Sequence, residues 1–398
     1  MRRVVITGAG TVNALAQDVP GTFAALAAGR SGIGALDFRD ADRLSVRIGA
    51  AVRDWDEAVR FPRNLLSQLD RFSQFALVAA DEAMAMAGPG AAEGAGVVIG
   101  SAAGGISTWE DNYRAVFAEG KNRVPPLTVP RLMLNAASSQ VGMRHRLTGP
   151  SFAVSSACST SNHAIGLAFR MVRDGVAPAM LAGGAEAMLC FGGIKAWEGL
   201  RVLSPDGCRP FHSARNGMVM GEGAAVFLLE DAARAAARGA VPLAEVAGFG
   251  MTADAADLVV PSVEGAAAAM RAALEEARMS PGDLGYINAH GTGTQVNDRT
   301  ETAAIRAVLG AAADRVPVSA TKAMHGHAIG ATGAIELLAC ILALRDGIIA
   351  PTLNLDRADP DCALDHVAND ARRTRVDAAL SNSFAFGGLN AVLALRAA

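Results

Sequence analysis

The sequence predicts an α/β fold, with a sheet of mostly parallel central strands covered by helices, and three observations support this prediction. Short apolar runs typical of buried strands alternate along the 398-residue chain with Ala-rich stretches of helical periodicity. Aromatic residues make up only 5% of the chain and Gly occurs 43 times, so a core of small aliphatic side chains favours a buried sheet over an all-β sandwich. A short internal repeat indicates two similar halves.

Nine apolar runs bounded by small or polar residues predict the strands. They lie at residues 4–7, 96–100, 151–154, 179–183, 224–230, 241–248, 287–289, 316–319 and 378–381. The predicted helices are Ala-rich stretches in which apolar residues recur at helical spacing, as Phe72, Phe75, Ala76 and Ala79 do. They lie at residues 72–87, 162–174, 265–277, 300–309 and 334–346.

The internal repeat is the tetrapeptide His-Ala-Ile-Gly, which starts at His163 and again at His327. Counting five residues back from each His gives Cys158 in the first copy and Lys322 in the second. We expect the seam between the halves within residues 232–239, which gives an N-terminal half of 1–235 and a C-terminal half of 236–398. No Pro-rich or Ser-rich linker separates them, so the halves are expected to share an interface and one active site.

Composition argues against several classes of protein. The formal charge of −3 gives no reason to expect nucleic-acid binding. No apolar stretch nears the roughly 20 residues of a membrane span, and the start of the chain predicts a first strand rather than a signal peptide. The five cysteines are scattered and odd in number, which predicts cytoplasmic thiols rather than disulfides or a zinc site. Gly8-Ala-Gly10 lacks the third Gly of a dinucleotide fingerprint, because Asn13 stands there.

Cys158 lies in Ser-Ser-Ala-Cys-Ser-Thr-Ser, just after a predicted strand. The Ser, Thr and Asn residues that follow favour a helix N-terminus, where aligned peptide dipoles act as about half a positive charge. A thiol with an ordinary pKa of about 8.5 would be substantially ionised there. We therefore expect Cys158 to be a nucleophile. The other cysteines are expected to be small buried side chains; they are Cys190, Cys208, Cys340 and Cys362.

His290 ends an apolar, strand-like run and opens the Gly-rich and Thr-rich segment Gly291-Thr-Gly-Thr294. A His in such a turn at the end of a strand is placed to face a ligand. The hydroxyls of Thr292 and Thr294 could bind an amide-bearing substrate arm.

His327 lies in similar surroundings, five residues after Lys322 and nine before Glu336. A neighbouring ammonium should keep an imidazole neutral, and Glu336 would offset the lysine charge. The neighbouring His325 is expected to pack outside the reacting set. The closing segment, Ser381-Asn-Ser-Phe-Ala-Phe-Gly-Gly388, predicts a strand edge and a tight turn. Backbone N–H groups there, with that of Cys158, could form an oxyanion hole.

These residues resemble the β-ketoacyl-acyl-carrier-protein synthases, the decarboxylating Claisen-condensing enzymes of the thiolase-like fold. The resemblance runs from Val4 to Asn390 and rests on four motifs, whose order and spacing are specific. They are Ala-Cys-Ser at Cys158, His-Gly-Thr-Gly-Thr, Lys-x-x-x-Gly-His and Asn-Ser-Phe-x-Phe-Gly-Gly. A Cys-His-His set also differs from the Cys-His-Asn set of relatives that resemble initiation synthases.

The resemblance implies a five-layer α-β-α-β-α sandwich of two duplicated halves, each with a mixed five-stranded sheet, working as a homodimer. It implies condensation of an acyl-enzyme thioester with malonyl-acyl carrier protein, which extends the acyl chain by two carbons. Acyl carrier protein would be the partner and would present the substrates on phosphopantetheine. No other cofactor and no metal are expected.

The resemblance also implies a role for each matching residue. Cys158 would take the acyl chain, while His290 and His327 would bind the malonyl thioester carbonyl and promote loss of carbon dioxide. Phe386 would supply an oxyanion N–H and gate the site. Lys322 and Glu336, together with Glu301, would orient the histidines. Thr292 and Thr294 would contact the phosphopantetheine arm, Ala103 would deepen the acyl pocket, and Trp197 would line that pocket. The cations expected to meet an acidic carrier protein are Lys121, Arg123 and Arg201.

The chain departs from the family pattern at four positions, which are Gly293, His325, Ala385 and Leu389. Ala385 stands where the gating loop usually has Gly and would stiffen it. The segments Ser161-Asn-His-Ala-Ile-Gly and Cys208-Arg-Pro-Phe indicate a nodulation-type ketosynthase that serves a specialised lipid.

Three other interpretations remain open at this point. The first is a thiolase-like acyltransferase acting on coenzyme A esters, and the second is an inactive partner subunit of a ketosynthase heterodimer. The presence of Cys158 weighs against the second, since such partners usually lack the Cys. The third is a metal site formed by His290, His325 and His327, which no carboxylate-and-His spacing supports.

Overall fold

The computed structural model describes residues 2–398 and shows fifteen strands within them. The strands are β1 (Val4–Asn13), β2 (Gly34–Ala35), β3 (Ile48–Gly49), β4 (Gly96–Gly100), β5 (Ser151–Phe152), β6 (Ala179–Glu186), β7 (Gly223–Asp231), β8 (Ala244–Ala253), β9 (Tyr286–Asn288), β10 (Pro317–Ser319), β11 (Ile348–Ile349), β12 (Asp365–His366), β13 (Arg372–Arg373), β14 (Ala378–Ala385) and β15 (Leu389–Arg396).

Fourteen α-helices lie in the same part of the chain. They are α1 (Val19–Ala27), α2 (Glu57–Arg60), α3 (Arg63–Leu66), α4 (Arg71–Ala87), α5 (Ile106–Tyr113), α6 (Thr128–Leu132), α7 (Ala136–His145), α8 (Thr160–Arg173), α9 (Phe191–Gly199), α10 (Ala232–Ala237), α11 (Val263–Ala277), α12 (Gln295–Leu309), α13 (Lys322–His325) and α14 (Thr332–Asp346). Among residues 2–398, no helix combines the length and the apolar character needed to span a bilayer.

The main sheet is built from two halves with the same strand order. In the first half the order is β5-β4-β6-β7-β1, and in the second half it is β10-β9-β14-β15-β8. In each half two parallel pairs at the outer side adjoin two antiparallel pairs at the inner side. The halves join where β1 pairs antiparallel with β8 over three residues, and the two-residue strand β12 extends the second half beyond β10. The shared order is the structural mark of duplication, as predicted.

Helices form three layers around these two half-sheets. On the outside of the first half, α4 packs on β1 and β7, and α7 packs on α4. On the outside of the second half, α11 packs on β8 and β15, and α12 packs on α11. Between the halves, α8 and α14 contact each other and strands of both half-sheets. This order confirms the predicted α-β-α-β-α sandwich.

Every predicted strand and helix overlaps an observed one, and six strands were not predicted. Five of these have two residues each, and the sixth is β15, which pairs along its whole length with both β14 and β8. The halves also repeat in a different register from the one that the tetrapeptide predicts. A short helical turn containing a positive-φ residue precedes α8 and α14, so Cys158 corresponds to Gly330 rather than to Lys322. The second His-Ala-Ile-Gly lies ahead of its helix, whereas the first lies inside α8.

The central helix α8 approaches the second half-sheet closely through Gly166. A Cβ placed on Gly166 would lie 2.3 Å from the ring of Phe249 in β8, far inside van der Waals contact. Phe249 is itself buried, so its ring has little room to move. The absence of a side chain at Gly166 therefore allows α8 to lie close to β8.

Replacement of this glycine tests the spacing. Gly166→Ala should lower the stability by about 1–3 kcal/mol, because overpacking outweighs the gain in helix propensity. Gly142→Ala in α7 is the matched control, because its Cβ would meet Val97 at an ordinary 3.6 Å and should stabilise the helix by about 0.5–1 kcal/mol. Denaturant unfolding of both variants measures the difference. A Gly166→Ala protein at least as stable as the wild type would contradict the close packing.

Candidate active site

Cys158 lies on a strained turn that opens the central helix α8. The chain leaves β5, reaches Ala157 at a φ of 48°, and enters the helix at Thr160. A non-Gly residue with positive φ is uncommon and costs energy, and such strain is found often at functional positions. The expectation that Cys158 stands at a helix start is confirmed, and the side chain is buried.

The expectation of an ionised thiol is wrong for the resting protein. Burial raises the pKa of Cys158 to about 12, against the opposing effects of the Lys322 charge and of the N–H groups of Cys158 and Phe386. Desolvation disfavours a thiolate more strongly here than the helix end and the ammonium favour it. The sulfur therefore needs a base to take its proton.

His327 is placed to act as this base. Its Nε2 lies 3.1 Å from the Cys158 Sγ, and its Nδ1 lies 2.8 Å from the Thr332 hydroxyl in the first turn of α14. The hydroxyl can donate or accept, so it satisfies Nδ1 in either neutral tautomer. The backbone of His327 is held by Val219 and Gly221, at 2.7 and 2.9 Å. The position of the ring is thus fixed by the Thr332 hydroxyl and by the backbone contacts with Val219 and Gly221.

His290 follows β9, and its orientation is fixed by two charged side chains. Glu301 of α12 accepts the N–H groups of His290 and Gly291, each at 2.8 Å. The Lys322 ammonium donates to the carbonyl oxygen of His290 and lies 3.3 Å from its Nδ1. An ammonium has no lone pair to offer, so Nδ1 is the acceptor and the neutral ring carries its proton on Nε2. The rings of His290 and His327 meet edge to face, with centroids 5.6 Å apart.

Lys322 and Glu336 form a fully buried ion pair, with Nζ and Oε1 2.7 Å apart. Burial raises the pKa of Glu336 to about 7, and the ammonium opposes this rise. Burial first, and the Lys322 charge second, hold the pKa values of His290 and His327 well below 6.5. Both rings are therefore neutral, as the sequence predicted.

Two backbone N–H groups point at the sulfur, those of Cys158 and Phe386. Phe386 follows β14 and precedes Gly387 and Gly388, whose φ values of 82° and 66° place them in the left-handed region. This is the arrangement expected of an oxyanion hole, because both donors converge on one point beside the sulfur.

A cavity of about 300 Å³ opens onto the sulfur and both imidazoles. Thr292 and Thr294 line its wall, with their hydroxyls 2.9 Å apart. Its other lining residues include Arg201, Met218, Val260, Gln295, Val296, Phe384 and Phe386. An elongated substrate arm can therefore reach Cys158 past the two threonines.

Two predicted substrate contacts lie beside the cavity rather than on its wall. Ala103 and Trp197 pack against an apolar cluster that contains Met218, Met220 and Ile329. Trp197 also stacks on Phe386, with ring centroids 6.0 Å apart. His325 does not join the reacting set, because its ring nitrogens lie at hydrogen-bond distance from Gly326 and Thr321.

The surface cations predicted to meet a carrier protein lie in different settings. Arg201 lines the cavity. Lys121 is exposed and pairs with Glu119 at 2.7 Å, and Arg123 is exposed on the same segment. Of the three, only Arg201 lies at the mouth of the site.

Sequence reasoning missed three residues that hold the site together. Thr332 could have been found by its place five residues after His327, at the start of a helix. Buried Arg215 donates to the carbonyl oxygens of Thr294 and Gln295, at 3.2 and 3.1 Å, and so fixes the wall of the cavity. Buried Glu186 accepts N–H groups from both halves, those of Ala102 and Gly330, at 2.7 and 3.1 Å. Nothing in the loop sequence around Arg215 indicated burial.

Three side chains of this site form the one candidate metal cluster found among residues 2–398. One ligand atom from each of Cys158, His290 and His327 lies within 4.8 Å of the others. A tetrahedral zinc would hold sulfur and nitrogen about 3.6 Å apart, given its bond lengths. The 3.1 Å between Cys158 Sγ and His327 Nε2 fits a hydrogen bond better.

The neutral state of the histidines can be measured directly. Because their pKa values are lowered, His290 and His327 should keep the nitrogen shifts of neutral imidazole from about pH 8 to about pH 5.5, where a free His of pKa about 6.5 becomes mostly protonated. Histidine-labelled protein examined by ¹⁵N NMR gives this readout, with His290→Asn and His327→Asn for assignment. A titration midpoint near 6.5 for either ring would overturn the burial argument.

The fold and the site together define a Cys-His-His acyltransferase. Models of the β-ketoacyl synthase N-terminal and C-terminal domains match residues 1–235 and 243–356. The chain belongs to the β-ketoacyl synthase family.

Two curated relatives match over 99% of this chain. One is nodulation protein E of Rhizobium sp. (strain N33), 46% identical over 99% of its own length. The other is 3-oxoacyl-[acyl-carrier-protein] synthase 2 of Staphylococcus aureus (strain COL), 39% identical over 98% of its length. These similarities identify the enzyme class as β-ketoacyl synthase.

Solved structures agree with this result. The ishigamide ketosynthase/chain length factor superposes with a TM-score of 0.95, at 34% identity, over 100% of this chain and 99% of the other. A type II polyketide ketosynthase in complex with its acyl-carrier protein superposes with a TM-score of 0.92, at 30% identity, over 100% of both chains. The predicted thiolase-like fold class is confirmed.

Proposed function

We propose that the protein condenses an acyl group held on Cys158 with a malonyl group held on acyl carrier protein, with loss of carbon dioxide, to extend the acyl chain by two carbons. The observation that carries this proposal is the meeting of one buried thiol with two neutral imidazoles at the end of one cavity. A neutral imidazole donates a hydrogen bond to a developing enolate oxygen without supplying a competing acid.

The first half-reaction loads Cys158. His327 Nε2, 3.1 Å away, accepts the thiol proton as the sulfur attacks the thioester carbonyl of the incoming acyl group. The N–H groups of Cys158 and Phe386 stabilise the tetrahedral oxyanion. When the intermediate collapses, the carrier's thiolate leaves and is protonated. His327 gives up its Nδ1 proton through the Thr332 hydroxyl, which can accept or donate, and keeps the proton from the sulfur on Nε2. A base is needed at this step because the resting thiol is protonated.

The second half-reaction uses both histidines as donors. The N–H groups of His290 and His327 bind the carbonyl oxygen of the malonyl thioester, so that the enolate formed by loss of carbon dioxide is stabilised. The enolate carbon then attacks the acyl-Cys158 carbonyl, and the sulfur leaves as a thiolate that takes up a proton from solvent to restore the thiol. Lys322 fixes the His290 tautomer that this step requires, since it occupies Nδ1 and leaves the proton on Nε2.

Carrier-bound substrates account for the shape of the cavity. The phosphopantetheine arm would pass Thr292 and Thr294, whose hydroxyls suit its amide groups. No further cofactor is included in the proposal. Two relatives support a carrier partner: the S. aureus synthase is named for acyl-carrier protein, and the polyketide ketosynthase was solved in complex with one.

A specialised acyl chain is proposed over a primary fatty acid. Nodulation protein E is more similar to this chain, at 46% identity, than the S. aureus synthase is, at 39%. The alternatives of a coenzyme A-dependent acyltransferase and of an inactive partner subunit receive less support. Two β-ketoacyl synthase domain models match the chain, and Cys158, His290 and His327 are all present and in contact range.

We also propose that the protein acts in the cytoplasm as a homodimer. Around α5 and the turn after it, Trp109, Tyr113 and Phe117 form an aromatic row whose rings lie 5.0 and 5.8 Å apart, and Phe117 is 79% exposed. Strand β5, which leads to Cys158, is an outer edge of the main sheet and can pair with a second copy. The exposed aromatic row and the free strand edge each favour such an interface.

Two substitutions separate the half-reactions. Cys158→Ala should abolish condensation and leave malonyl decarboxylation measurable, because both imidazole donors remain. His327→Ala should slow decarboxylation by about 10²–10³-fold, as expected for loss of one oxyanion donor. Release of labelled carbon dioxide and formation of the 3-oxoacyl product from malonyl carrier protein give the two readouts.

The matched control is Cys190→Ala, which removes a half-buried thiol outside the cavity and should preserve both activities. Condensation by Cys158→Ala would show that the nucleophile is misassigned. Unchanged carbon dioxide release by His327→Ala would remove the proposed role of that imidazole.

A further inference from the structure

The mouth of the cavity is bordered by a loop that presents apolar side chains to solvent. Leu258, Val259 and Val260 precede α11 and are 74%, 47% and 54% exposed. Val296, in the first turn of α12, is 51% exposed. Val259, Val260 and Val296 line the cavity that leads to Cys158, and Leu258 adjoins them. We call these four residues the apolar rim.

The loop that carries the apolar rim is held in place by hydrogen bonds. Asp257 accepts the N–H groups of Val259 and Val260, at 2.7 and 2.9 Å. Gly387 donates to the carbonyl oxygen of Leu258 at 2.8 Å, which ties the loop to the segment that supplies the Phe386 N–H. The exposed apolar side chains are thus presented by an ordered loop. Such a patch at the entrance of a functional cavity is typical of a contact surface.

Charge is sparse at this entrance. Arg201 is the only charged side chain among the described residues that line the cavity, and no ion pair is found for it in residues 2–398. The nearby Arg209 pairs with Asp206 at 2.9 Å, and buried Arg215 pairs with Asp359 at 2.7 Å. A partner that covers the entrance therefore meets apolar surface, one unpaired guanidinium, and the Asp257 carboxylate, which already accepts the N–H groups of Val259 and Val260.

We propose that the apolar rim is the docking surface for the carrier protein, and that the carrier binds there chiefly through an apolar face rather than through ion pairs. This inference rests on the proposed function. A substrate arm that reaches Cys158 must pass the apolar rim, so the protein to which the arm is attached must cover it. If a second copy of this chain bound to the apolar rim, it would close the entrance to substrates. The apolar rim is therefore not the dimer contact.

The test compares a carrier-bound substrate with a carrier-free one. The triple variant Leu258→Asn/Val260→Thr/Val296→Thr keeps side-chain size and removes apolar surface. The rate constant for acylation of Cys158 is measured with an acyl-carrier-protein thioester and with the corresponding acyl-pantetheine thioester. The ratio of the two rate constants should fall about 10-fold, since burial of one apolar side chain is worth about that factor.

Val241→Thr is the matched control, because Val241 is 82% exposed and lies outside the cavity; it should leave the ratio unchanged. A salt series on the wild type gives an independent readout. Between about 50 and 500 mM NaCl, the rate constant with the carrier thioester should change less than about 2-fold, because screening weakens ion pairs and not apolar contacts.

Two results would overturn the inference. One is an unchanged ratio in the triple variant, and the other is a loss of about 10-fold or more with salt, which would assign docking to charges. Failure of the proposed function looks different. In that case wild-type Cys158 would not be acylated by either thioester.

Discussion

The buried ammonium of Lys322 is the interaction on which the rest of the site depends. It uses its three protons on Glu336, on the carbonyl oxygen of His290 and on the Nδ1 of that ring. These contacts set the tautomer of His290 and its position relative to Cys158. The positive charge also helps to keep both imidazoles neutral. Without it, the pair of neutral donors would lose both its geometry and part of its electrostatic basis.

Duplication of the fold explains how the reacting groups meet. In the first half, β5 is followed by a turn with a positive-φ residue and then by α8. In the second half, β10 is followed further along the chain by a turn of the same kind and then by α14. In the first half this turn presents Cys158 at the start of α8. In the second half the corresponding segment carries Lys322 and His327 ahead of α14. Because α8 and α14 pack against each other, the two turns face one cavity.

The sequence predicted the parts of the molecule that depend on local pattern. The apolar runs at 96–100 and 179–183 are long enough to be read as buried strands, and β4 and β6 include them. The small, polar residues after Cys158 predicted a helix start correctly. The motifs around Cys158, His290 and His327 predicted that these three side chains act together, and the structure brings them within 4.8 Å of one another.

What the sequence did not predict depends on tertiary contacts. The thiol of Cys158 was expected to be ionised from its helix position, but the degree of burial, which raises its pKa, is decided by both halves together. Strand β15 forms a local hairpin with β14 across residues 386–388, but its pairing with β8 on the other side is long-range. The role of Arg215 likewise follows from burial, which a polar-looking loop does not reveal.

The geometry also accounts for the selectivity expected among the five thiols. Cys158 alone among them lies at hydrogen-bond distance from an imidazole nitrogen and opens onto the cavity. Cys340 and Cys208 are buried with backbone carbonyl oxygens as their neighbours. Burial raises the pKa values of all five thiols, but only Cys158 has an imidazole nitrogen within hydrogen-bond distance to accept its proton.

Peptide mass spectrometry after incubation with a panel of acyl carrier thioesters tests the assignment of Cys158 as the acyl acceptor most directly. One acyl group per chain is expected, on the peptide that contains Cys158, and the acyl lengths that load would define the substrate. Acylation of another cysteine in preference to Cys158, or no acylation with any member of the panel, would contradict this assignment.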